Sequence, residues 1–581
     1  MIMVKVTIDN ISVEVENNST ILDAARKVGI DIPTLCYLKE KNEIGACRVC
    51  QVEVQGARAL AAACVMPVFD GMVISTTSKK VRDARKATVE LILSSHNRDC
   101  LACPSNKNCE LQTVAEEMGI REIPFEGEND FGILDDASPS IVRDQSKCIL
   151  CGRCVNVCKK EQGSAILDFT ERGISTKISP LFNKSMTEVP CIYCGQCVNV
   201  CPTAALREKD DIDAVWAALE CKDTHVVVQA APAVRAALGE EFGLAAGTLV
   251  TGKMVSALKR LGFNKVFDTN FGADLTIMEE GHELLDRVNN GGKLPMITSC
   301  SPGWIRFCEF NYPEFIPNLS SCKSPIQMFG AIVKSYYAEK SGVDAKKIFS
   351  VAIAPCISKK SEAARAEMEV NGLRDVDAVL TTRELAKMIK QASIKFNALE
   401  DSTFDQDLLG EYTGAGVIFG ATGGVMEAAV RTVSEVVAGK DTDVEFKNIR
   451  GLEGIKEADV ALGDKKIKVA VVHGTANAAK LLDKINAGEA KYDFIEVMAC
   501  SGGCVNGGGQ PKISATVRST TDIRAARATA LYEEDSAKAI RKSHKNPQIK
   551  KLYDDYLEKP NSHKAHKLLH TKYEAKEAYP M

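Results

Sequence analysis

The feature that most constrains this chain is a duplicated cysteine run, CILCGRCVNVCKK at 148–160 and CIYCGQCVNVCPT at 191–203. Each copy reads C-x2-C-x2-C-x3-C, the spacing with which one pseudo-symmetric module holds two 4Fe-4S clusters, the fourth cysteine of each run serving the other cluster. Cys148, Cys151, Cys154 and Cys201 are therefore expected on one cluster, and Cys191, Cys194, Cys197 and Cys158 on the other. Lys159 stands where Pro202 closes the second copy, a small departure. Such a module moves electrons, so the rest of the chain has to be read for what supplies and consumes them.

The chain has 22 cysteines in 581 residues, 15 of them before position 202. Without a secretory start, such a density reads as metal ligation rather than disulfides. Cys36, Cys47, Cys50 and Cys64 follow C-x10-C-x2-C-x13-C, one long loop wrapped round a 2Fe-2S cluster with the last thiolate from a more distant turn. Zinc is the alternative that a C-x2-C pair also fits. Small residues in EIGACRVCQVEV let backbone amides approach the sulfides. His96, Cys100, Cys103 and Cys109 form H-x3-C-x2-C-x5-C, where a histidine just ahead of a cysteine trio reads as fourth ligand of a 4Fe-4S cluster; a Cys3His zinc site competes.

Val4, Val6, Ile8 and Ile11, Val13, Val15 alternate about Asp9-Asn10, the period-two pattern of a hairpin with a tight turn. Ile21, Leu22, Ala25 and Val28 then form a helical stripe after Thr20, with Asp23 placed for a capping box. These signals predict a small β-grasp 2Fe-2S domain over 1–80. Residues 81–125 read as a mostly helical His/Cys 4Fe-4S domain, 121–140 as a linker rich in turn formers and acids, and 138–210 as a two-cluster ferredoxin domain. Farther on, strand-like runs (HVVVQAAP, KLPMITSC, IFSVAIAPC, KVAVVHG) alternate with helical ones (MVSALKRLG, TTRELAKMIK), which predicts an α/β domain over 215–511. Residues 512–581 read as a helical C-terminal segment. The fold class is multidomain, α+β and α/β, with cysteines recurring at the loop ends where α/β folds carry their sites.

The length and the 45% hydrophobic content require several cores. A formal net charge of -4, from 73 basic and 77 acidic residues, leaves no surplus to hold nucleic acid or an anionic membrane. The start MIMVKVTIDN lacks a basic stretch and apolar run, and no segment offers the roughly 18 apolar residues of a membrane span; a soluble, cytoplasmic chain is expected. No flavin or dinucleotide loop stands out, so any nicotinamide chemistry belongs to another subunit.

TSCSPGW at 298–304, APCISKKSE at 354–362 and EVMACSGGCVNGGGQP at 496–511 resemble, in order, the three signatures of the hydrogen-activating domain of FeFe-hydrogenases. Residues 1–210 look like the cluster-carrying front of the same enzymes, a front whose first two motifs also occur in the large iron-sulfur subunit of respiratory complex I and in some formate dehydrogenases. The resemblance implies reversible H2 oxidation and proton reduction at an H-cluster, a 4Fe-4S cube joined through a cysteine sulfur to a two-iron subsite carrying carbon monoxide, cyanide and an azadithiolate. With one 2Fe-2S and three 4Fe-4S clusters in front, it implies Cys356, Cys500 and Cys504 as cube ligands, Cys504 bridging. Cys500 and Cys504 sit in a glycine-rich stretch, where absent side chains let backbone approach a bulky cluster. The first signature departs from the common TSCCP, in which one cysteine passes protons and the next ligates the cube. Here Ser301 follows Cys300, so the fourth ligand is open between Ser301 through oxygen, Cys300 after a backbone shift, and another thiol such as Cys308 or Cys322. Ala354 also replaces a methionine common before the second signature.

A proton route is implied from Cys300, a thiol beside a charged cluster, through Glu280, Ser320 and Glu283 to Arg287. Glu280 and Glu283 lie three apart on a predicted helix and share a face. Lys359 is expected to point its ammonium at a cyanide ligand, and Met498 to pack against the subsite. The segment after 511 resembles the small-subunit part of these enzymes; its histidines at 544, 563, 566 and 570 read as members of Lys-rich surface helices rather than metal ligands. The implied partners are ferredoxin and, in an NAD(P)-linked electron-bifurcating complex, a flavin-containing NAD(P)-binding subunit and a thioredoxin-like 2Fe-2S subunit, with maturases to insert the two-iron subsite. A stand-alone ferredoxin hydrogenase is the competing arrangement. A non-catalytic assembly or sensor relative is the competing class, against which the retained Glu280, Glu283, Cys300 and Lys359 argue.

Overall fold

The computed structural model describes residues 2–128, 134–442, 445–462 and 465–579; residues 129–133 of the expected linker lie outside that range. Asp9 and Asn10 take positive φ, 45° and 67°, as a two-residue type I′ turn requires, and join β1 (Met3–Ile8) to β2 (Ile11–Glu16). The helix Ile21–Lys27 is opened by Thr20, whose hydroxyl accepts from the Asp23 amide while the Asp23 carboxylate accepts from the Thr20 amide, a complete capping box. β3 (Gln51–Val54), β4 (Ala61–Ala62) and β5 (Val73–Ser75) complete a sheet of order β2-β1-β5-β3-β4 in which β1 and β5 run parallel. Its core is a period-two set of valines and isoleucines packed on Ile21, Leu22, Ala24 and Ala25.

The helix Lys79–Ser94 starts on Ser78, whose hydroxyl accepts from the Val81 amide. The helix Glu110–Glu117 begins directly at Cys109. In the cysteine-repeat region, β6 (Leu134–Asp135), β7 (Ile141–Asp144) and β10 (Leu206–Glu208) form an antiparallel sheet, and β8 (Asp168–Thr170) and β9 (Lys177–Ser179) a hairpin. Each copy of the repeat feeds a short helix, Arg153–Lys160 or Gln196–Val200.

The remainder carries two four-stranded sheets. β11 (His225–Ala230), β12 (Lys265–Asp268), β14 (Ile348–Ala354) and β17 (Ala378–Thr381) are all parallel, in the order β12-β11-β14-β17. β13 (Met296–Ile297), β18 (Ile455–Leu462), β19 (Lys465–His473) and β20 (Phe494–Met498) take the order β13-β20-β19-β18, with only β18 antiparallel. β15 (Glu369–Val370) and β16 (Leu373–Arg374) are a separate small hairpin. The strands are buried nearly throughout, as sheets covered on both faces must be, except the antiparallel edge strand β18, which exposes Glu457, Asp459 and Ala461. KLPMITSC yields only two strand residues, because Pro295 cannot donate to the ladder and Ser299–Ser301 already turn away towards the helix Pro302–Asn311.

The C-terminal helices are not the purely superficial ones their lysines suggest. Leu552, Tyr553, Leu557, Leu568 and Leu569 pack into one core with Phe267, Phe271, Phe329 and Tyr336. His563 and His566 are exposed, but His570 is buried, so the surface-helix reading fails for it. Among the described residues no helix is long and apolar enough to cross a membrane.

Candidate active site and electron path

At the first site Cys36, Cys50 and Cys64 are buried and Cys47 partly so. Hydrogen bonds from the Cys47 and Cys64 thiols, with the amides of Cys47 and Ala46, hold the Cys36 thiol far below its ordinary range. At the second, His96, Cys100, Cys103 and Cys109 line a cavity of about 330 Å³. His96 Nδ1 is buried without a hydrogen-bond partner. Burial, then nearby Lys147, push the imidazole down to about 4, which leaves the ring neutral, the form that ligates metal. An orphaned buried nitrogen among three thiols fits a bound cluster better than a sealed core.

In the repeat region Cys148, Cys151, Cys154 and Cys201 line one cavity. Cys158, Cys191, Cys194 and Cys197 line another. Burial raises Cys148, Cys151 and Cys191 to about 12 and Cys154, Cys194 and Cys197 farther still. Bare thiolates cannot persist in such surroundings, so these groups are neutral thiols unless a bound metal supplies the compensating charge.

A further cavity, of about 80 Å³, lies beyond the carboxyl ends of β11, β13, β14 and β20, the position where open parallel sheets bind ligands. Cys300 and Ser301 follow β13, Cys356 follows β14, Met498 ends β20 and Cys500 lies just past it, while Lys359 comes from the helix Ser358–Ala363 and Cys504 from the glycine-rich loop; all seven line the cavity. Gly503, at φ 92°, lies so close to the chain that a Cβ there would come 2.7 Å from the Thr422 amide nitrogen. Burial, joined by neighbouring Cys356, raises Cys504 to about 12 and Cys500 farther. The donor set and the close-packed glycine loop fit an iron-sulfur cube.

Ser301 opens the helix Pro302–Asn311 without capping it, and its Oγ instead accepts from the Ala499 amide at 3.2 Å. The two alternative thiols are not on the cavity wall. Cys308 donates to the carbonyl of Tyr312, the residue that caps its own helix, at 3.3 Å. Cys322 faces Glu283 at 3.9 Å. Lys359 Nζ donates to the Cys300 carbonyl at 3.0 Å and pairs with Glu362 at 2.9 Å. Sequence reasoning overlooked Glu362, which lay unassigned in APCISKKSE, and the walls contributed by Pro232, Pro325, Ile326 and Phe419. Apolar residues at strand and helix ends give no chemical signal in a sequence.

Cys194 lines both this cavity and that of Cys158, Cys191 and Cys197. The junction is tight: Gln196 Nε2 donates to the Asn506 carbonyl and Asn199 Nδ2 to that of Gly507, each at 2.8 Å. A Cβ on Gly195 would lie 2.2 Å from Ile357 Cδ1.

Glu280, Ser320, Glu283 and Arg287 lie near one another, with Glu280 close enough to Cys300 to act on its thiol. Burial and the neighbouring Glu280 hold the Cys300 thiol high. Glu280, on the helix Thr269–Asn290, is 1% exposed and neither of its oxygens is hydrogen-bonded; burial, then Glu283, raise its carboxyl to about 8. Ser320 Oγ donates to Glu283 at 2.8 Å, and Glu283 accepts from Arg287 at 2.6 Å. Arg287 is fixed further by the carbonyls of Asn318 (3.1 Å) and Leu319 (2.7 Å). Glu279, one residue from Glu280, is fully buried and turned instead to the C-terminal segment, where Tyr553, the Asn561 amide (2.8 Å) and His570 Nε2 (3.1 Å) surround it. Its partners lie hundreds of residues away, so nothing in EEGHE marks it.

Cysteine-lined cavities, one of them sharing Cys194 with an apolar chamber, are the arrangement of an iron-sulfur oxidoreductase. Residues 2–79 match the family profile of a 2Fe-2S iron-sulfur cluster binding domain, 85–124 the NADH-ubiquinone oxidoreductase-G iron-sulfur binding region and 147–205 a 4Fe-4S dicluster domain. Residues 224–508 match the iron only hydrogenase large subunit, C-terminal domain, and 521–576 the iron hydrogenase small subunit. The chain is 49% identical to the NADP-reducing hydrogenase subunit HndD of Solidesulfovibrio fructosivorans, covering 99% of each chain. It is 47% identical to iron hydrogenase 1 of Clostridium pasteurianum over 98% of this chain and 100% of that one. A variant of FeFe-hydrogenase HydA1 from Chlamydomonas reinhardtii is similar in structure with a TM-score of 0.57 and 42% identity, covering 64% of this chain and 100% of that one. The chain belongs to the iron-only, or FeFe, hydrogenases. It is an oxidoreductase acting on H2, with 2Fe-2S and 4Fe-4S domains and the H-cluster of that family.

Proposed function

We propose that the chain interconverts H2 with protons and electrons as the catalytic subunit of a ferredoxin- and NAD(P)-linked, electron-bifurcating complex in the cytoplasm. One 2Fe-2S cluster on Cys36, Cys47, Cys50 and Cys64, a 4Fe-4S cluster on His96, Cys100, Cys103 and Cys109, and two more on the crossed repeat cysteines carry the electrons. The observation that carries this reading is that Cys194, from the last of these sites, and Cys300, the inner end of the acid line, lie on the wall of one cavity. Electrons and protons converge there.

When bound, the H-cluster supplies the low-potential iron and the amine base at which H2 is made or split. Cys356, Cys500 and Cys504 would hold its cube, and the Ser301 hydroxyl, free of capping duty and beside the Cys500 turn, would take the fourth position. Lys359, steadied by Glu362, puts a positive charge on the wall that favours anionic ligands, and Met498 adds a soft apolar contact. The apolar wall keeps water out, so protons travel on side chains. Below about pH 8 Glu280 carries a proton to hand to Cys300. The Ser320 hydroxyl, turning between the two carboxylates, refills it from Glu283, and Glu283 and Arg287, 13% and 14% exposed, meet solvent. H2 oxidation runs the same line outward.

The full-length similarity to the NADP-reducing hydrogenase subunit supports a complex in which a flavin-containing subunit and a thioredoxin-like 2Fe-2S subunit handle the nicotinamide. Affinity purification of the tagged chain from its host under anaerobic conditions tests this. Co-purifying flavoprotein and H2-dependent NAD(P)+ reduction that requires oxidised ferredoxin are expected; a lone chain that reacts with ferredoxin alone makes it a stand-alone enzyme.

A further inference from the structure

The end of the C-terminal segment meets the outer part of the acid line from the side. The Lys323 amide donates to the Leu569 carbonyl at 2.8 Å and the Thr571 amide to that of Ser321 at 2.7 Å, which sets Cys322 and His570 opposite one another in an antiparallel bridge. Both are buried, at 0% and 8% exposure. Glu283 enters the same space, and one ligand atom each of Glu283, Cys322 and His570 lie within 4.8 Å of one another. A carboxylate, a thiol and an imidazole form the mixed oxygen, sulfur and nitrogen set that tetrahedral zinc sites use, with the fourth position left for water.

His570 adds a second feature. Its Nε2 meets the buried Glu279 carboxylate at 3.1 Å and its Nδ1 meets Ser321 Oγ at 2.8 Å. Exchanging the neutral hydroxyl for a metal at Nδ1 sacrifices one ordinary hydrogen bond. The contact that remains is a carboxylate bound to the far side of a ligating imidazole, the arrangement that fixes the tautomer and strengthens the ring as a ligand. Glu279 and Glu283 both border the site and Arg287 is already paired with Glu283, so these contacts favour positive charge.

We propose that Glu283, Cys322 and His570 form a binding site for one divalent cation of the zinc class, and that its occupation blocks the proton line by engaging Glu283. The ion enters beside Glu283 and Arg287, and Cys322 gives up its thiol proton to solvent as the sulfur binds. The blocking effect rests on Glu283 being a proton carrier; the binding does not.

The test uses the anaerobic, fully matured enzyme, titrated with zinc chloride and followed by zinc K-edge X-ray absorption and by H2 evolution from a reduced dye, for the wild type, His570→Ala and Cys322→Ser. One zinc is expected, with a single sulfur at about 2.3 Å and nitrogen and oxygen at about 2.0–2.2 Å, together with loss of turnover. Both variants should keep the metal-free turnover and bind zinc more weakly by at least the roughly 10- to 100-fold that losing a mere supporting partner costs. Zinc held only by sulfur, or both variants binding and inhibited like the wild type, places the ion on the cluster cysteines and overturns the site. Zinc in the mixed-ligand site without loss of turnover overturns the blocking effect and removes Glu283 from the proton line.

Discussion

On the proposed proton line, Glu280 is the group whose titration governs the pH dependence of proton delivery. Burial and Glu283 raise it from 4.5 to about 8, so it is protonated at neutral pH and ionised above about 8. H2 evolution should therefore decline as pH rises through about 8, when no proton remains to pass inward, while H2 oxidation, which needs the acid as an acceptor, should gain; pH profiles in both directions measure this. Glu280→Gln keeps the shape and removes the transferable proton, so turnover should drop about 10²- to 10⁴-fold with the infrared signature of the H-cluster unchanged. The sign for stability follows from the same shift. A folded-state value above the unfolded one gives a contribution fully present below about pH 4.5 and lost as pH rises to about 8. Denaturant titrations across that window should be flatter for Glu280→Gln than for the wild type. The cysteines and His96 could be picked out from the sequence because spacing marks them, and the Glu280–Glu283 pair only through the family resemblance. His570 could not, since its contact with Glu279 spans 291 residues and a histidine in a Lys-rich segment resembles any other.

At the scale of elements, what is local in the chain was legible and what is long-range was not. The hairpin at Asp9-Asn10 and the capping box at Thr20 rest on residues within three positions of each other, and both form. The pairing order β12-β11-β14-β17 joins strands separated by whole helices, and no periodicity encodes which neighbours which. Thr20→Ala removes both halves of the box and should cost about 1 kcal/mol, read as earlier thermal loss of the visible circular dichroism of the 2Fe-2S site. The glycine-rich loop is less forgiving. Gly503→Ala adds a Cβ 2.7 Å from backbone nitrogen of Thr422, which must move the loop that carries Cys504; the H-cluster infrared bands should be lost while the electron paramagnetic resonance of the forward clusters persists.

Across the whole molecule, Arg383 ties the electron-carrying front to the catalytic rear. Its guanidinium, 5% exposed, reaches Glu208 (2.8 Å) and Asn199 (3.0 Å) on one side and the Gly508 carbonyl (2.8 Å), four residues beyond Cys504, on the other. Arg383→Met strands the buried Glu208 carboxylate, a loss of about 3–5 kcal/mol, and should slow internal electron transfer as well as lower the denaturation midpoint. Domain-scale order was visible in the sequence through motif order, whereas this docking, made by an arginine in an ordinary helical stretch, was not. We place the H-cluster in the cavity shared by Cys194 and Cys300. Infrared spectroscopy of the anaerobically purified, fully matured protein, with and without H2, tests this placement most directly. Carbon monoxide and cyanide bands that shift under H2, alongside turnover in a dye-linked assay, are predicted; full iron-sulfur content with neither bands nor turnover would contradict it, and Ser301 would be the first ligand to suspect.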